Sequence, residues 1–414
     1  MILSKHSMGI GDRFGRQGKA QLSAFVKAAQ LGAAVTPVWN KSNREHSIIH
    51  TTPPEVRREA DAAVAALGWT KPYHVDADHI GLATVDGFIA SSDFFTLDVA
   101  DFTGKCAPEA DIADFVGRCR RYAGKLTIPG IDEPLDAPQA RIEQIARKYL
   151  LAAKEAGKIY RRIEAARGEG SFITEVSMDE TDQPQTPVEM FFILAAIAGE
   201  GIPAQTIAPK FTGRFNKGVD YVGDVAQFRK EFRDDLAVIA AAIREFSMQP
   251  NLKLSVHSGS DKFSLYGPIR EALAATGAGV HLKTAGTTWL EEMIGLAASG
   301  GEGLAIAKDV YKTALGRFDE LCKPYATVID IDRAKLPSPA VVDRWSEDDF
   351  ASALRHDPKC PRYNSHVRQM LHVGYKVAAE MGGRYLDALG RYETMVAQSV
   401  RDNILDRHIR PLFV

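Results

Sequence analysis

The sequence predicts an α/β protein with the fold of a (β/α)8 TIM-like barrel and extra helices at the C-terminus. Between residues 171 and 298, short strand-forming runs alternate with amphipathic helices at least four times, and repeated βα units of this kind form parallel sheets. The chain has 414 residues, of which 45% are hydrophobic, enough for one barrel with insertions or for two ordinary domains. We expect a single barrel domain over residues 1–414, within which residues 338–414 form a helical extension.

The individual elements follow from hydrophobic periodicity and from residues typical of helix ends. Gly32 suits the end of the first helix, and Pro54 suits the first turn of the second. The predicted helices cover residues 18–32, 54–67, 108–123, 139–168, 187–199, 224–247, 262–276 and 287–298. The predicted strands lie within residues 75–80, 88–99, 171–177, 204–208, 252–256 and 279–284.

An open doubly wound sheet is the structural alternative. Its nucleotide-binding forms place a GxGxxG turn between the first strand and the first helix. Gly9, Gly11 and Gly15 instead give the spacing GxGxxxG, and no acidic strand end follows about 20 residues later. The sequence therefore favours a barrel over a dinucleotide-binding fold.

The composition excludes several classes of protein. Lys plus Arg number 51 and Asp plus Glu number 53, so the chain lacks the basic excess of a nucleic-acid-binding protein. No run of about 18 apolar residues occurs, which argues against a membrane span, and the first residues lack the apolar core of a signal peptide. The four cysteines form no CxxC pair, which suits a reducing compartment. We therefore expect a cytoplasmic protein whose partner is a small molecule.

Histidines stand at the ends of several predicted strands, where the mouth of a barrel carries its active site. His79, His257 and His281 end three different strands. His79 or His257 alone is equally well explained as a hydrogen-bonded structural residue. Together they are typical ligands for divalent Mn, Co, Ni, Zn or Fe, and three protein ligands leave positions open for a substrate. The sequence predicts a divalent metal cation bound by these three side chains.

Two loops rich in small residues indicate binding of an anion or a sugar. In residues 5–15, backbone amides and Arg13 suit a carboxylate, although Arg13 and Asp12 could instead pair with each other. Residues 257–263 carry hydroxyls and a lysine, which suit a polyhydroxylated acid or a plain helix cap. Lys283 could also form a Schiff base, as lysines in aldolase barrels do. The predicted substrate-binding residues are Arg13, Lys210, Ser258, Ser260, Lys262 and Lys283.

Six segments resemble the tagaturonate epimerase family of uronate-pathway enzymes. They are residues 7–21 (SMGIGDRFGRQGKAQ), 76–80 (DADHI), 174–180 (TEVSMDE), 208–213 (APKFTG), 256–263 (VHSGSDKF) and 281–286 (HLKTAG), spread over about two-thirds of the chain. The first and fifth are distinctive, and the others are short. The resemblance implies a barrel fold, a divalent metal, a sugar-acid substrate and the interconversion of tagaturonate with fructuronate.

The implied reaction inverts a carbinol β to a ketone, whose proton is not acidic. Two routes are open, retro-aldol cleavage with rotation and re-addition, or transient oxidation by a bound nicotinamide, which the missing dinucleotide fingerprint disfavours. A retro-aldol reaction needs an electrophile for the enediolate, which a metal supplies, and acid–base groups at the hydroxyl. Asp78 and Glu175 lie at predicted strand ends near the proposed ligands, and we expect them to transfer protons.

Three other functions fit parts of this pattern. A class II-like metal aldolase would release its fragments, and a xylose-isomerase-like ketose isomerase acting on a sugar acid would exchange solvent deuterium beside the carbonyl. A non-enzymatic sugar-acid-binding protein would need neither a metal nor an acid–base pair. The products formed from tagaturonate separate these possibilities.

Overall fold

A computed structural model of the chain describes residues 1–284 and 286–414. Eight parallel strands form a closed barrel in the order β1-β10-β9-β8-β7-β4-β3-β2, and β5 and β6 form a separate antiparallel pair. The predicted fold class, a (β/α)8 barrel, is confirmed. The strands are β1 (His6–Ile10), β2 (Thr36–Ser42), β3 (His74–Ile80), β4 (Phe94–Asp98), β5 (Gly124–Leu126), β6 (Leu135–Ala137), β7 (Ile173–Ser177), β8 (Thr206–Ala208), β9 (Lys253–Val256) and β10 (Val280–Lys283).

Helices surround the barrel and continue beyond its last strand. The α-helices are α1 (Gly18–Gln30), α2 (Asn43–Ile49), α3 (Pro53–Leu67), α4 (Glu109–Cys119), α5 (Gln139–Arg167), α6 (Pro187–Gly199), α7 (Val225–Phe246), α8 (Phe263–Thr276), α9 (Thr287–Ala298), α10 (Gly301–Gly316), α11 (Phe318–Cys322), α12 (Pro339–Asp343), α13 (Glu347–Leu354), α14 (Ser365–Val373), α15 (Tyr375–Met381), α16 (Gly383–Arg391), α17 (Glu393–Asp402) and α18 (Arg410–Phe413). A π-helical segment, Asn403–Ile409, joins the last two. Within the described residues, no helix is both long and apolar enough to cross a bilayer.

The chain has two large apolar cores. The first lies between the barrel and the helices around it, and includes Phe25, Tyr149 and Phe192. The second lies among the helices that follow β10, and includes Trp289 and Tyr385. The helical region therefore begins at α9, well before residue 338. The prediction of one domain with an extension over residues 338–414 stays a prediction.

Side chains of alternate residues face the inside of the barrel, which is how a small closed barrel is filled. An apolar plug of Leu3, Val38, Phe94 and Ile173 closes its lower end. Two residues further along β4 and β7, the inward residues are Thr96 and Glu175, which are hydrogen-bonded to each other. The interior therefore changes from apolar to charged toward the carboxyl ends of the strands.

The first two strands were not predicted. The glycines expected in an anion-binding loop at residues 5–15 fall partly on β1, and all seven residues of β2 are buried. The inward residues of β2 include Asn40 and Ser42, so the strand has no apolar run that periodicity could detect. Long-range pairing with β1 and β3 forms this strand.

Buried neutral histidines predict a loss of stability in acid. Burial, with Lys5 and Lys253 adding to it, lowers the pKa of His6 to about 4, and burial lowers the pKa of His281 to about 3. The unfolded chain, with ordinary imidazoles, therefore binds more protons than the folded chain below about pH 6.5. The free energy of unfolding should fall as the pH drops from about 6.5 toward 4.

Urea denaturation at several pH values measures this loss. The variant His6→Asn should show a shallower decline than the parent chain, with His50→Asn at an exposed helix end as the matched control. An identical decline in the parent chain and in His6→Asn would contradict this assignment.

Candidate functional site

A buried lysine stands at the centre of the charged end of the barrel. The Nζ atom of Lys283 lies 2.8 Å from Asp76, 2.7 Å from Asp78 and 3.0 Å from Glu175. Burial opposes the charged amine, but the three carboxylates outweigh it and hold the pKa of Lys283 well above its usual value. A Schiff base requires a neutral amine, so this geometry speaks against the Schiff-base alternative for Lys283.

Lys283 can cross the barrel because residue 9 has no side chain. A Cβ atom on Gly9 would lie 3.0 Å from Cγ of Lys283 and 3.2 Å from Oδ1 of Asn40. Gly9 pairs directly with Lys283 in the sheet. The glycine therefore makes room for a side chain and is not part of a carboxylate-binding loop.

A β-bulge directs His79 toward the cavity above Lys283. The pairing of β3 with β4 shifts between Ala77 and Ile80, and His79 adopts a φ of 50°, a strained value for a residue with a side chain. The Nδ1 atom of its ring lies 3.1 Å from Oδ2 of Asp98. That contact orients the ring and leaves Nε2 available, 3.8 Å from Asp78.

His257 is oriented in the same way by a different carboxylate. Its Nε2 atom lies 2.7 Å from Oε1 of Glu175, and its Nδ1 atom lies 3.1 Å from Oδ1 of Asp179. The hydroxyl of Ser177, the last residue of β7, donates to Asp179 at 2.6 Å and holds that carboxylate in place. Carboxylates that hold one nitrogen of a ring while the other faces a shared space are typical of metal-binding histidines.

Donor atoms of His79, Asp179 and His257 all lie within 4.8 Å of one another. Two ligands held about 2.1 Å from one ion lie about 3 Å apart, which matches the 3.1 Å between His257 and Asp179. Although Asp179 lies 3.1 Å from it, the buried Nδ1 of His257 makes no hydrogen bond of acceptable geometry within the described part of the chain. Two imidazoles and one carboxylate therefore fit a divalent transition metal.

The charge around these donors also favours a cation. Burial opposes a charged imidazole, yet Asp78 and Asp98 together raise the pKa of His79 to about 10. The pKa of His257 is raised as well, because Asp179 and Glu175 outweigh its burial. The negative charge of these carboxylates favours a proton on each imidazole ring. A bound divalent cation would balance that charge equally well.

Two connected cavities open beside the donor group. The larger, of about 230 Å³, runs toward Lys210 and Phe215. The smaller, of about 60 Å³, runs toward Asp78 and Lys283. Residues common to both walls are Arg44, Asp179, Glu180, Lys217, His257, Ser258 and Tyr325. We call His79, Asp179 and His257 the donor group. It lies beside both cavities, so a small molecule bound in one cavity can extend into the other.

A family model described as tagaturonate epimerase matches residues 1–411. The chain belongs to the tagaturonate epimerase family. It is therefore an epimerase, an enzyme of the isomerase class. A protein of Thermotoga maritima named tagaturonate/fructuronate epimerase is 28% identical over 422 residues, which cover 97% of this chain and 80% of the relative.

Solved structures support the fold. A glycerol-complexed crystal structure of the fructuronate-tagaturonate epimerase of Cohnella laeviribosi superposes with a TM-score of 0.82 at 23% identity, covering 100% of this chain and 82% of that one. The native structure of the same protein gives a TM-score of 0.79 at 23% identity, with the same coverage. At this identity the likeness shows the shared barrel fold.

Within this epimerase, His281 is not in the donor group. It lies two residues before Lys283 on β10, on the same face and therefore about 6.6 Å lower in the barrel. Its Nδ1 is 2.8 Å from the hydroxyl of Ser7, and its ring packs on Phe94 of the apolar plug. The predicted triad thus keeps His79 and His257, while Asp179 takes the third position in the geometry.

Lys262 and Ser260 do not face either cavity. Lys262 is 1% exposed. Its Nζ atom donates to the carbonyl oxygens of Asn216, Val219 and Ser260 at 2.9, 2.7 and 3.1 Å. Ser260 is buried as well. The structure places both residues away from the two cavities, where Lys262 holds the loop before α7 against the start of α8, and their role in substrate binding stays a prediction.

Arg13 lines the smaller cavity, but it is not paired with Asp12. Its guanidinium donates to Glu45 at 3.1 Å and to the carbonyl of His372 at 3.0 Å, and lies 3.7 Å above the ring of Tyr375. Asp12 instead accepts from backbone amides of residues 14–17. With its donors largely occupied, Arg13 is better suited to shaping the wall than to binding a carboxylate.

The other predicted substrate-binding residues do reach the cavities. Lys210 lines the larger cavity and donates to the carbonyl of Thr181, Ser258 lines both cavities, and Lys283 lines the smaller one. Asp78 lines the smaller cavity, whereas Glu175 lines neither and is fully buried. Their roles as substrate-binding and catalytic residues stay predictions.

Sequence reasoning missed several residues of the site. Asp179 lies two residues past the end of β7, and Arg44 lies just past the end of β2, the strand that was not predicted. Lys217 lies in a long loop without periodicity. His372 is buried against Arg13 and lines the smaller cavity. The strand-end position of Asp179 was the one usable signal.

Proposed function

We propose that this epimerase interconverts D-tagaturonate and D-fructuronate by retro-aldol cleavage and re-addition, with a divalent metal at His79, Asp179 and His257. The observation that carries the proposal is the position of this donor group, which lies beside Asp78 and charged Lys283 on one cavity wall. Membership of the family and the names of its relatives support the substrate pair.

A bound metal would supply positive charge for the enediolate that forms when the carbon–carbon bond breaks. The protein fixes the position of the groups that would hold the metal. Asp98 and Glu175 fix the two imidazole rings, and Ser177 fixes the carboxylate of Asp179. These contacts come from two neighbouring strands, β4 and β7, so the donor group is rigid before substrate arrives.

The proton transfer is assigned to Asp78. Burial alone would raise its pKa, but Lys283 and His79 outweigh that effect and hold the pKa of Asp78 below its usual value, so the carboxylate is ionised. It accepts the proton of the reacting hydroxyl. The bond between that carbon and the one next to the ketone then breaks, and its electron pair passes into the enediolate.

The released aldehyde must turn over before the bond re-forms. Rotation about its remaining carbon–carbon bond presents the opposite face of the carbonyl, and the enediolate carbon adds to that face. The proton held on Asp78 returns to the new alkoxide, which gives the epimer. Atoms and electrons balance without an oxidant, which the transient-oxidation route would require.

Isotope effects test the proposal. In substrate deuterated at the reacting carbinol, the retro-aldol route keeps the carbon–deuterium bond intact, so a secondary effect on turnover is expected. Removal of a hydride from the same carbon would give a primary effect and would overturn the route. A substrate carrying ¹³C at that carbon should conversely show a carbon isotope effect, because its bond to the neighbouring carbon breaks.

A further inference from the structure

Most cations near the two cavities are already bound to protein groups. Lys283 contacts three carboxylates, Arg13 pairs with Glu45, and Arg214 pairs with Asp330 at 3.2 Å. A cation already paired in this way has few hydrogen-bond donors left for a substrate carboxylate. The cations without such a pair therefore decide where an acid can bind.

Lys217 is the unpaired cation at the centre of the site. Within the described residues, Lys217 forms no ion pair, because the nearby carboxylates of Asp78, Glu175 and Asp179 contact Lys283 or His257 instead. That atom donates to the hydroxyl of Ser258 at 2.6 Å, and Lys217 lines both cavities next to the donor group. An ammonium group has three donors, so at least one remains for a ligand.

The backbone holds Lys217 in this position. Its amide donates to the carbonyl of Val328 at 2.8 Å, and the next residue, Gly218, has a φ of 74° and leaves room where a Cβ atom would lie 3.2 Å from Leu290. Ser258, its side-chain partner, has a φ of 49° and directly follows the ligand His257. A strained residue that joins a free cation to a metal-binding histidine is typical of a functional site.

The other unpaired cations are placed less suitably. Arg44 is exposed and stacks over Tyr325. Lys210 lines only the larger cavity, and its amine is bound to the carbonyl of Thr181. Among the cations of the described residues, Lys217 alone combines a fixed backbone, a position in both cavity walls and a direct contact to the residue after His257.

We propose that Lys217 binds the substrate carboxylate and retains the three-carbon aldehyde acid during the reaction, an inference that rests on the proposed retro-aldol route. Cleavage gives an enediolate of dihydroxyacetone and 2-hydroxy-3-oxopropanoate. The aldehyde must rotate about the bond that joins it to the carboxylate-bearing carbon. A carboxylate fixed on Lys217 allows that rotation and prevents escape, which separates an epimerase from an aldolase.

The test compares Lys217→Met with Lys217→Arg, Lys210→Met and the exposed-surface control Lys230→Met. Uniformly ¹³C-labelled tagaturonate is converted by each variant, and free three-carbon products and fructuronate are measured by NMR. Loss of the charge should raise the ratio of cleavage to epimerisation by at least about 30-fold in Lys217→Met. Lys217→Arg should restore most of the retention, and Lys230→Met should match the parent chain.

Two results would overturn the proposal. One is equal loss of both reactions in Lys217→Met without free fragments, and the other is fragment release in Lys210→Met alone. Failure of the proposed route itself is recognised separately with the parent chain. Given dihydroxyacetone and 2-hydroxy-3-oxopropanoate, it should form the two six-carbon acids. If the parent chain forms neither acid yet still epimerises tagaturonate, the retro-aldol route is wrong. The proposal that Lys217 retains a fragment is then wrong as well.

Discussion

Asp179→Asn is expected to lose affinity for the metal proposed at this site and nearly all of its turnover. The amide keeps the size of the side chain and can still accept from Ser177, but it removes the negative charge that faces the two imidazoles. Changes to residues that merely orient ligands already weaken metal binding by about 10–100-fold, so loss of a ligand should exceed roughly 100-fold. Metal content after gel filtration and the affinity for added Mn²⁺ or Zn²⁺ measure this directly.

His281→Asn distinguishes the donor group seen in the structure from the one predicted from sequence. His281 lies one layer below Lys283 beside Ser7, so this variant should keep full metal stoichiometry. His366→Asn, at the half-buried start of α14, is the matched control. Loss of metal in His281→Asn with retention in Asp179→Asn would restore the sequence-predicted triad and contradict the geometry.

Apolar periodicity predicted six of the eight barrel strands but not the first two, β1 and β2. Strands such as β7 and β9 carry apolar residues on the face toward the helices, which makes them visible in the sequence. In β2 the inward residues Asn40 and Ser42 are polar because they approach the site. The polar inward residues of β2 thus removed the alternation by which a strand is detected in the sequence.

The site residues show why strand ends alone do not define a site. His257 directly follows β9, as the sequence predicted, and its ring lies in the donor group. His281 was misplaced because its position within β10, two residues before Lys283 on the same face, puts it deep in the barrel. The role of Lys262 depends on carbonyl groups some 45 residues away in sequence, and a contact of that range leaves no local pattern.

The two predicted catalytic carboxylates are expected to differ when each is replaced by its amide. Asp78 lines the cavity and accepts from Lys283 at 2.7 Å, so Asp78→Asn should keep the metal while turnover falls by roughly 10²–10⁴. Glu175 is fully buried and accepts from Thr96, Thr206 and His257. In Glu175→Gln the ring of His257 loses its orienting charge, so metal affinity should fall by about 10–100-fold.

Metal titration of each variant, followed by turnover at saturating metal, separates a proton-transfer group from a positioning group. At saturation, Glu175→Gln should recover a large part of its activity, because its defect lies in how His257 is held. Asp78→Asn should not recover, because no amount of metal replaces the base that takes the hydroxyl proton. Recovery of Asp78→Asn at high metal would reverse the assignment: Asp78 would then orient His79, its neighbour at 3.8 Å, and the proton acceptor would have to be another group on the same wall.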